Sequence, residues 1–322
     1  MMLLRVKNLS VSIGTLTLLE GVSFDLAKGE IMGLVGESGS GKSLTALALT
    51  GLLPLIGGRV TAGSLEFDGT DMVTQPKRKL RALRGRRIAF ITQNPMTALD
   101  PVQRIGPQVD FVSRTHLGLD RKAARARTIA LLTQLRIPQA DAICSSYPHQ
   151  LSGGMKQRIV IAMALAGDPD LIVADEPTTA LDVTVQAQII HLLTRLVRER
   201  GLSLVLITHD MGVVAQACDK VAVLYAGRLA EQKPVHALFA SPQHPYSAAL
   251  IDCIPREGMA PGSLTGIPGN VASATAYPSG CRFHPRCPRA GAGCDTKVPV
   301  QRGLSDAGTV ACHYPLNGAP DV

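Results

Sequence analysis

The chain alternates between apolar runs of strand length and stretches with helical spacing. A run of four or five consecutive, mostly apolar residues indicates a strand that is covered on both faces. Such runs lie at 31–35, 88–92, 171–174, 204–207 and 221–224. Residues 122–135 and 157–165 instead place apolar side chains three and four positions apart, which predicts helices. The alternation of the two patterns predicts an α/β fold with a mostly parallel sheet.

The segments on either side of these runs differ in pattern. Residues 1–30 read as short strands separated by glycine turn signals, which predicts an N-terminal antiparallel β subdomain. Residues from about 94 to 165 predict a helical subdomain. Prolines and small residues make 251–280 linker-like, and a cysteine-rich tail follows at 281–322. We therefore expect one large domain over 1–250, then a linker and a short tail.

Composition narrows the class of protein. The chain has 322 residues, of which 46% are hydrophobic and 18% charged, so it can bury a core and is not intrinsically disordered as a whole. The sequence contains no run of about 20 apolar residues, so it predicts no membrane-spanning helix. The first residues lack the pattern of a signal peptide, so we expect a cytosolic protein. The net charge is +8, but aromatic residues total only 3%, which argues against nucleic acid as a partner.

The most informative motif directly follows the strand predicted at 31–35. A glycine-rich turn between a buried strand and a helix that opens at Lys42 points successive backbone N–H groups into one concavity, where a triphosphate fits. Lys42 would reach the β- and γ-phosphates, and the Ser43 hydroxyl would hold Mg²⁺ against them. The predicted phosphate-binding residues are Gly36, Glu37, Ser38, Gly39, Ser40, Gly41, Lys42 and Ser43.

Two adjacent acids, Asp175 and Glu176, end the apolar run at 171–174. Acids at the carboxyl edge of a parallel sheet lie where α/β proteins bind their ligands. Asp175 would bind Mg²⁺, and Glu176 would polarise the water that attacks the γ-phosphate. Taken alone, such a pair is also typical of a plain strand end.

Three further motifs extend this prediction. Ser152, Gly153 and Gly154 open a predicted helix, whose exposed N–H groups form either a second anion site or an ordinary N-cap. Gln93 stands at a strand end, from which it could reach Mg²⁺ and the attacking water. His209 follows another strand and could contact the γ-phosphate. Either of these two residues alone is also compatible with an ordinary loop position.

The order of these motifs resembles the ATP-binding cassette family of ATPases, over residues 1 to about 250. The order is the phosphate loop, Gln93, Leu151-Ser-Gly-Gly, Asp175-Glu176, Ala180-Leu181-Asp182 and His209. Within that family, the stretches 94–101, 147–150 and 243–246 look like the group of oligopeptide, dipeptide and nickel importer ATPases. The likeness continues to about residue 315. It implies a P-loop NTPase cassette that hydrolyses ATP with Mg²⁺ as cofactor.

The resemblance also implies partners. In the family, two cassettes close head to tail over ATP, so that Ser152 and Gly154 of one subunit cover the phosphate loop of the other. Closure and hydrolysis move two transmembrane permease subunits, which the segment from about 94 to 150 would contact. The stretch 221–227 looks like one member of a pair of different ATPases, which favours a heterodimer. The chain would lie on the cytoplasmic face of the bacterial inner membrane, served indirectly by an extracytoplasmic solute-binding protein.

Peptide import is the function that the resemblance favours. Import of nickel or another small solute is an alternative, and a soluble cassette that works on DNA or ribosomes is another. Soluble cassettes usually carry two cassettes in one chain or a long coiled-coil insertion, and this sequence shows neither. One departure concerns Ile13, which stands near the place where the family has an aromatic residue stacked on adenine. We therefore expect weaker base selectivity.

Four of the seven cysteines, Cys281, Cys287, Cys294 and Cys312, lie in the tail. In a reducing cytosol, clustered thiols indicate a metal site rather than disulfides. Four thiolates suit either Zn²⁺ or a [4Fe–4S] cluster, and the spacing is not the paired C-x2-C of zinc ribbons. The family resemblance, carried by 280–288 and 311–313, favours the [4Fe–4S] cluster as a structural staple. A redox-sensing module is an alternative.

Overall fold

The computed structural model describes residues 1–179, 181–255, 266–305 and 308–317. The strands in this part of the chain are β1 (Met2–Ile13), β2 (Leu16–Ala27), β3 (Ile31–Val35), β4 (Gly58–Phe67), β5 (Thr70–Asp71), β6 (Ile88–Ile91), β7 (Leu171–Asp175), β8 (Ser203–Thr208), β9 (Lys220–Tyr225), β10 (Arg228–Pro234), β11 (Arg302–Gly303) and β12 (Thr309–Val310).

The α-helices are α1 (Lys42–Leu49), α2 (Lys77–Leu83), α3 (Pro95–Ala98), α4 (Ile105–Leu117), α5 (Arg121–Gln134), α6 (Ala140–Ile143), α7 (Gly153–Ala166), α8 (Val183–Glu199), α9 (Met211–Ala217), α10 (Val235–Ala240) and α11 (Pro245–Asp252). Short 3₁₀ helices cover Leu53–Ile56, Pro148–Gln150 and His284–Arg286. The chain forms two compact units, one of Met1–Val73 with Thr208–Val322 and one of Thr74–Ile207.

The first unit contains two sets of paired strands. β1 pairs antiparallel with both β2 and β4, and β4 continues to β5. β3 pairs in parallel with β9, and β9 pairs antiparallel with β10. β12 then adds to β10, and β11 adds to β12, both antiparallel. The tail therefore supplies two short strands to the same unit that holds the N-terminal sheet.

Burial explains why β3 is continuously apolar. All five residues of β3 are buried, as are five of the six residues of β9 beside it. A strand covered on both faces has no solvent side on which polar residues would be favoured. The glycine-rich turn thus begins at the end of a fully buried strand.

The second unit combines three parallel strands with a group of helices. β6 pairs with β7 and β7 with β8, all in parallel. Among the helices, α4, α5 and α7 pack against one another. The side chain of Asp110 on α4, which is 9% exposed, accepts hydrogen bonds from Arg125 at 2.8 and 3.0 Å and from Thr128 at 2.6 Å, both on α5. This buried carboxylate is compensated, as buried charges must be.

The predicted α/β class is confirmed, with antiparallel strands at the N-terminus and parallel strands later in the chain. Each apolar run predicted as a strand coincides with β3, β6, β7, β8 or β9, and the two stretches with helical spacing coincide with α5 and α7; the run at 88–92 and the stretch at 122–135 each extend one residue past the element. Among the described residues, no helix is long and apolar enough to cross a membrane. Ala180, ten residues of the linker-like segment (256–265) and parts of the tail lie outside the described residues.

Candidate active site

The phosphate loop, residues 36–43, has a backbone that only glycine suits at several positions. Gly36, Gly39 and Gly41 have φ angles of 151°, 79° and 104°, in the region that L-residues with side chains avoid. A Cβ atom on Gly36 would lie 2.1 Å from the backbone oxygen of Leu224. The loop therefore packs tightly against the end of β9 before it enters α1.

Lys42 points back into this loop. Its side chain is only 5% exposed, and its Nζ donates hydrogen bonds to the carbonyl oxygens of Gly36 at 2.8 Å and Glu37 at 3.0 Å. The ammonium group is thus held within the concavity that the loop encloses. Ser43, the next residue of α1, is exposed at the same helix N-terminus. A cation, a hydroxyl and backbone N–H groups at one site match the chemistry of a phosphate group.

His209 also belongs to the first unit, where it is exposed just after β8. The next residue, Asp210, caps α9 by accepting hydrogen bonds from the N–H groups of Gly212 at 2.8 Å and Val213 at 3.2 Å. The backbone N–H of Asp210 donates to Thr208 Oγ1 at 3.0 Å. The backbone on both sides of His209 is therefore fixed, while its side chain reaches solvent.

The second unit brings Gln93 and Glu176 together. Gln93 Nε2 donates a hydrogen bond of 3.2 Å to Glu176 Oε2, and Thr179 Oγ1 donates to the same oxygen at 2.8 Å. Glu176 has a φ angle of 44°, and its backbone N–H donates to the carbonyl of Ile207 at 2.9 Å. A left-handed backbone is unusual for glutamate and is more often found at functional sites. Asp175, the last residue of β7, directly precedes Glu176 and is 6% exposed.

The helix start at 152–154 has the form predicted for an anion site or an N-cap. Ser152 caps α7, because its Oγ accepts a hydrogen bond of 3.3 Å from the N–H of Met155. A Cβ atom would approach the Leu181 side chain to 3.1 Å at Gly153 and the Val185 side chain to 3.0 Å at Gly154. Ser152 and Gly153 are exposed. The N-cap is present, and the surface above it is accessible to a ligand.

The four cysteines of the tail differ in burial: Cys294 is buried, and Cys281, Cys287 and Cys312 are partly exposed. The backbone N–H of Cys281 donates to the carbonyl of Cys294 at 2.8 Å, which joins two of the cysteine-bearing stretches. Burial raises the pKa of the Cys281 and Cys287 thiols, and nearby cysteine thiols raise it further. Burial, together with the other three thiols, raises the pKa of Cys312 to about 12. All four cysteines are free of disulfides.

Four thiols are the kind of donor set that zinc and iron–sulfur sites use. In the described part of the chain, however, no three His, Cys, Asp or Glu side chains are arranged to hold a metal ion. The raised pKa values mean that a metal would displace thiol protons when it binds.

Two residues that contact the phosphate loop were not among the predicted site residues. Arg286 donates from both terminal nitrogens to the carboxylate of Glu37, at 2.7 and 2.9 Å. The hydroxyl of Tyr246 accepts a 2.8 Å hydrogen bond from the backbone N–H of Glu37. Both residues lie in stretches that carry the family resemblance, 243–246 and 280–288. No local pattern connects those stretches to a loop more than 200 residues away.

Two protein families match separate parts of the chain. Residues 19–179 match the family described as ABC transporter, and residues 230–294 match the family described as the C-terminal region of oligopeptide/dipeptide transporters. The first match contains the phosphate loop, Gln93 and the acidic pair. The second contains the part of the first unit that reaches the loop through Tyr246 and Arg286.

Individual relatives agree with these profiles. The dipeptide transport ATP-binding protein DppD of Bacillus subtilis is 45% identical, over 96% of this chain and 93% of its own. The oligopeptide transport ATP-binding protein OppD of Salmonella typhimurium is 44% identical, over 98% and 94%. An ATP-binding cassette solved as a post-hydrolysis dimer with ADP and Pi has a TM-score of 0.64 and 27% identity, over 72% of this chain and 98% of its own. The chain therefore belongs to the ABC transporter family and is an ATP-hydrolysing importer subunit of it.

Proposed function

We propose that this ATPase powers the import of dipeptides or oligopeptides. The observation that carries the proposal is similarity over almost the whole chain, including the C-terminal region, to proteins named for dipeptide and oligopeptide transport. The C-terminal region is informative because its match lies entirely outside the match to the general ABC transporter family. The cassette fold alone is compatible with many solutes.

Binding of the triphosphate is assigned to the phosphate loop. Lys42 and the backbone N–H groups of residues 36–43 would contact the β- and γ-phosphates. Ser43 and Asp175 would hold Mg²⁺, with Gln93 as a further oxygen donor. Hydroxyl, carboxylate and amide oxygens are the ligands that Mg²⁺ prefers, so the residues fit this ion. When bound, Mg²⁺ would offset the negative charge of the phosphates.

Glu176 is the proposed general base. Gln93 and Thr179 both donate to its Oε2, so the carboxylate is oriented by two hydrogen bonds within its own unit. It would take a proton from water as the water oxygen attacks the γ-phosphorus, and ADP would leave as the bond from that phosphorus to the bridging oxygen breaks. His209 would contact the γ-phosphate. Ser152, Gly153 and Gly154 would contact ATP held by the opposing subunit.

Replacement of Glu176 tests this assignment. We expect Glu176→Gln to reduce ATP turnover by about a hundredfold or more, the usual contribution of a positioned base, while ATP binding persists. Glu199→Gln is the matched control, because Glu199 is the last residue of α8 and its side chain is 60% exposed. Undiminished turnover in Glu176→Gln would remove Glu176 from the role of base.

The proposed complex contains a second, different ATPase subunit and two permease subunits, with a solute-binding protein outside the cytoplasm. The chain would sit peripherally on the cytoplasmic face of the bacterial inner membrane. The support for this arrangement is that the relatives are named as dipeptide and oligopeptide transport ATP-binding proteins. The segment from about 94 to 150 is the proposed permease contact.

Reconstitution tests the complex and the solute together. Purified chain would be assayed for ATP turnover alone, with its partner ATPase, and in proteoliposomes with permeases and binding protein. We expect turnover to need the partners and to rise with dipeptides or oligopeptides but not with nickel. Full activity of the isolated chain, or stimulation by nucleic acid, would contradict the importer proposal. Stimulation by nickel alone would contradict peptides as the solute.

We assign the tail cysteines to a [4Fe–4S] cluster, with Zn²⁺ as the alternative. The support is the donor set, four cysteines free of disulfides at Cys281, Cys287, Cys294 and Cys312, two of which are joined by the backbone hydrogen bond from Cys281 to Cys294. A bound cluster would staple three separate stretches of the tail together.

Elemental analysis of anaerobically purified protein tests the cluster. We expect about four iron and four sulfide per chain, as for one cubane on four thiolates. Cys281→Ser should lower both contents sharply, whereas Cys253→Ser, at a cysteine outside the tail, should not. About one zinc per chain with no sulfide would favour the alternative, and the absence of both metals would contradict a metal site.

A further inference from the structure

Glu37 joins the phosphate loop to the cysteine-rich tail, through its contact with Arg286. Three groups of Glu37 are engaged: its backbone N–H donates to Tyr246 Oη, its carbonyl accepts from Lys42 Nζ, and its carboxylate accepts two hydrogen bonds from Arg286. The residues after it, Ser38 and Gly39, are exposed. Glu37 is therefore the point at which the first half of the loop is fixed.

Arg286 is well placed to do this fixing. Its side chain is 6% exposed, and its other hydrogen bonds go to the backbone oxygens of Ile267 at 3.2 Å and Pro268 at 2.7 Å and to the hydroxyl of Tyr225 at 3.3 Å. A guanidinium held in one orientation pairs with a carboxylate through two parallel hydrogen bonds, which a lysine cannot reproduce. The Glu37 carboxylate raises the pKa of Arg286 through the same contacts.

Charge gives this contact a functional consequence. A carboxylate on a loop that binds a triphosphate repels the ligand, and the repulsion is strong because the site is partly shielded from water. The Glu37 side chain is 28% exposed, so solvent only partly screens it. Arg286 neutralises this carboxylate and holds it against the tail.

We propose that Arg286 is a positioning residue of the ATP site. Through Glu37 it holds the backbone of the phosphate loop in place and neutralises a carboxylate that would otherwise repel the triphosphate. The cysteine-rich tail then contributes to ATP binding through Arg286. The proposal rests on the assignment of the phosphate loop as the ATP site. It requires no metal in the tail.

The test is the affinity of the full-length chain for ATP and AMP in the presence of Mg²⁺, measured by titration for a set of variants. We expect Arg286→Gln to weaken ATP binding about tenfold, as for the loss of one charge-assisted contact, and to affect AMP less because AMP carries less phosphate charge. Arg286→Lys, which keeps the charge without the paired geometry, should lose about threefold. Arg289→Gln, at an exposed arginine of the tail, should bind ATP as the parent does.

The double variant separates charge from packing. Glu37→Gln removes the carboxylate, so Glu37→Gln with Arg286→Gln should regain most of the lost ATP affinity. If Arg286→Gln binds ATP as Arg289→Gln does, or if Glu37→Gln restores nothing, the proposal is wrong. Should Arg286→Gln fail to fold, Arg286→Lys with and without Glu37→Gln decides by the same comparison.

Lys42→Ala distinguishes the assignment of the loop as the ATP site from the positioning role of Arg286. We expect it to abolish ATP binding because it removes the loop's own cation. Retained binding in Lys42→Ala would overturn the loop as the ATP site. If Lys42→Ala abolishes ATP binding but Arg286→Gln leaves it unchanged, only the positioning role of Arg286 is wrong.

Discussion

At the residue scale, His244 shows how burial sets the state of an ionisable group. It is 3% exposed and caps α11, because its Nδ1 accepts a 3.0 Å hydrogen bond from the N–H of Tyr246. Its own backbone N–H donates to Glu231 Oε2 at 2.8 Å. Burial lowers the pKa of His244 to about 4. The neutral ring is thus required both by burial and by its role as acceptor.

We expect His244 to make the protein less stable as the pH falls from 6.5 towards 4. The folded-state pKa lies below the ordinary 6.5, so the unfolded chain takes up a proton first and the stability contributed above pH 6.5 is lost on acidification. The full loss is about 3 kcal/mol. Urea unfolding between pH 4 and 8 would measure it.

His244→Asn is the control, since asparagine keeps an N-cap acceptor but does not titrate. Glu231 acts in the opposite sense, because burial raises its pKa and its stabilising effect is lost as pH rises through that raised value. The difference between the parent and His244→Asn isolates the histidine. Equal pH dependence of both proteins would contradict the prediction.

Ile13 offers a second test at this scale. It is the last residue of β1, where it pairs with Leu16 and Gly58. If it lies near the adenine, Ile13→Tyr should tighten ATP binding about fivefold, because an aromatic ring stacks more strongly than an aliphatic side chain. The ratio of ATP to GTP affinity would be measured, with Leu55→Tyr at a 79% exposed position as control. Unchanged affinity and unchanged ratio would show that Ile13 is remote from the base.

At the element scale, two helices of equal length begin with the same kind of side-chain N-cap. Ser152 caps α7 by accepting from Met155 N, and Asp120 caps α5 by accepting from Ala123 N at 2.7 Å. Both helices have 14 residues and lie in the second unit. The caps satisfy the same kind of orphan N–H group, so their contributions to stability should be similar.

We expect Ser152→Ala and Asp120→Ala each to lower the free energy of unfolding by about 1 kcal/mol, the usual cost of losing a cap. Only Ser152→Ala should also reduce ATP turnover of the assembled transporter, because its hydroxyl is proposed to contact ATP on the partner. Denaturant unfolding and turnover would be measured on the same samples. Equal turnover in both variants would remove Ser152 from the nucleotide site.

The sequence predicts elements well where one residue pattern decides them. The continuous apolar run of β3 and the glycine angles of the phosphate loop follow from burial and sterics, so both were predictable. The contact of Arg286 with Glu37 was not, because 249 residues separate the pair and neither has a local pattern that requires the other. The two-residue strands β11 and β12 likewise form by pairing, β12 with β10 and β11 with β12, rather than by their own propensity.

At the scale of the whole molecule, the tail belongs to the core of the first unit. Phe283 is 2% exposed, and its ring lies 5.1 Å from that of Tyr225 and 5.2 Å from that of Tyr246. Arg282 donates to the carbonyl of Ala226 and pairs with Glu20 on β2. The stretch that carries two of the tail cysteines is therefore packed against strands from the start and the middle of the chain.

Because Phe283 joins the tail to this aromatic cluster, Phe283→Ala should destabilise the whole first unit by about 3 to 5 kcal/mol. The substitution leaves a cavity among Tyr225, Tyr246 and the tail, so the loss includes the cavity as well as the buried surface. Val300→Ala, at a tail residue 77% exposed, should change stability by about 0.5 kcal/mol at most. Guanidinium unfolding followed by far-UV circular dichroism would measure both. If the tail were not packed into the first unit, it would unfold separately. Phe283→Ala would then leave the guanidinium midpoint of the main unfolding transition unchanged, which would contradict the prediction.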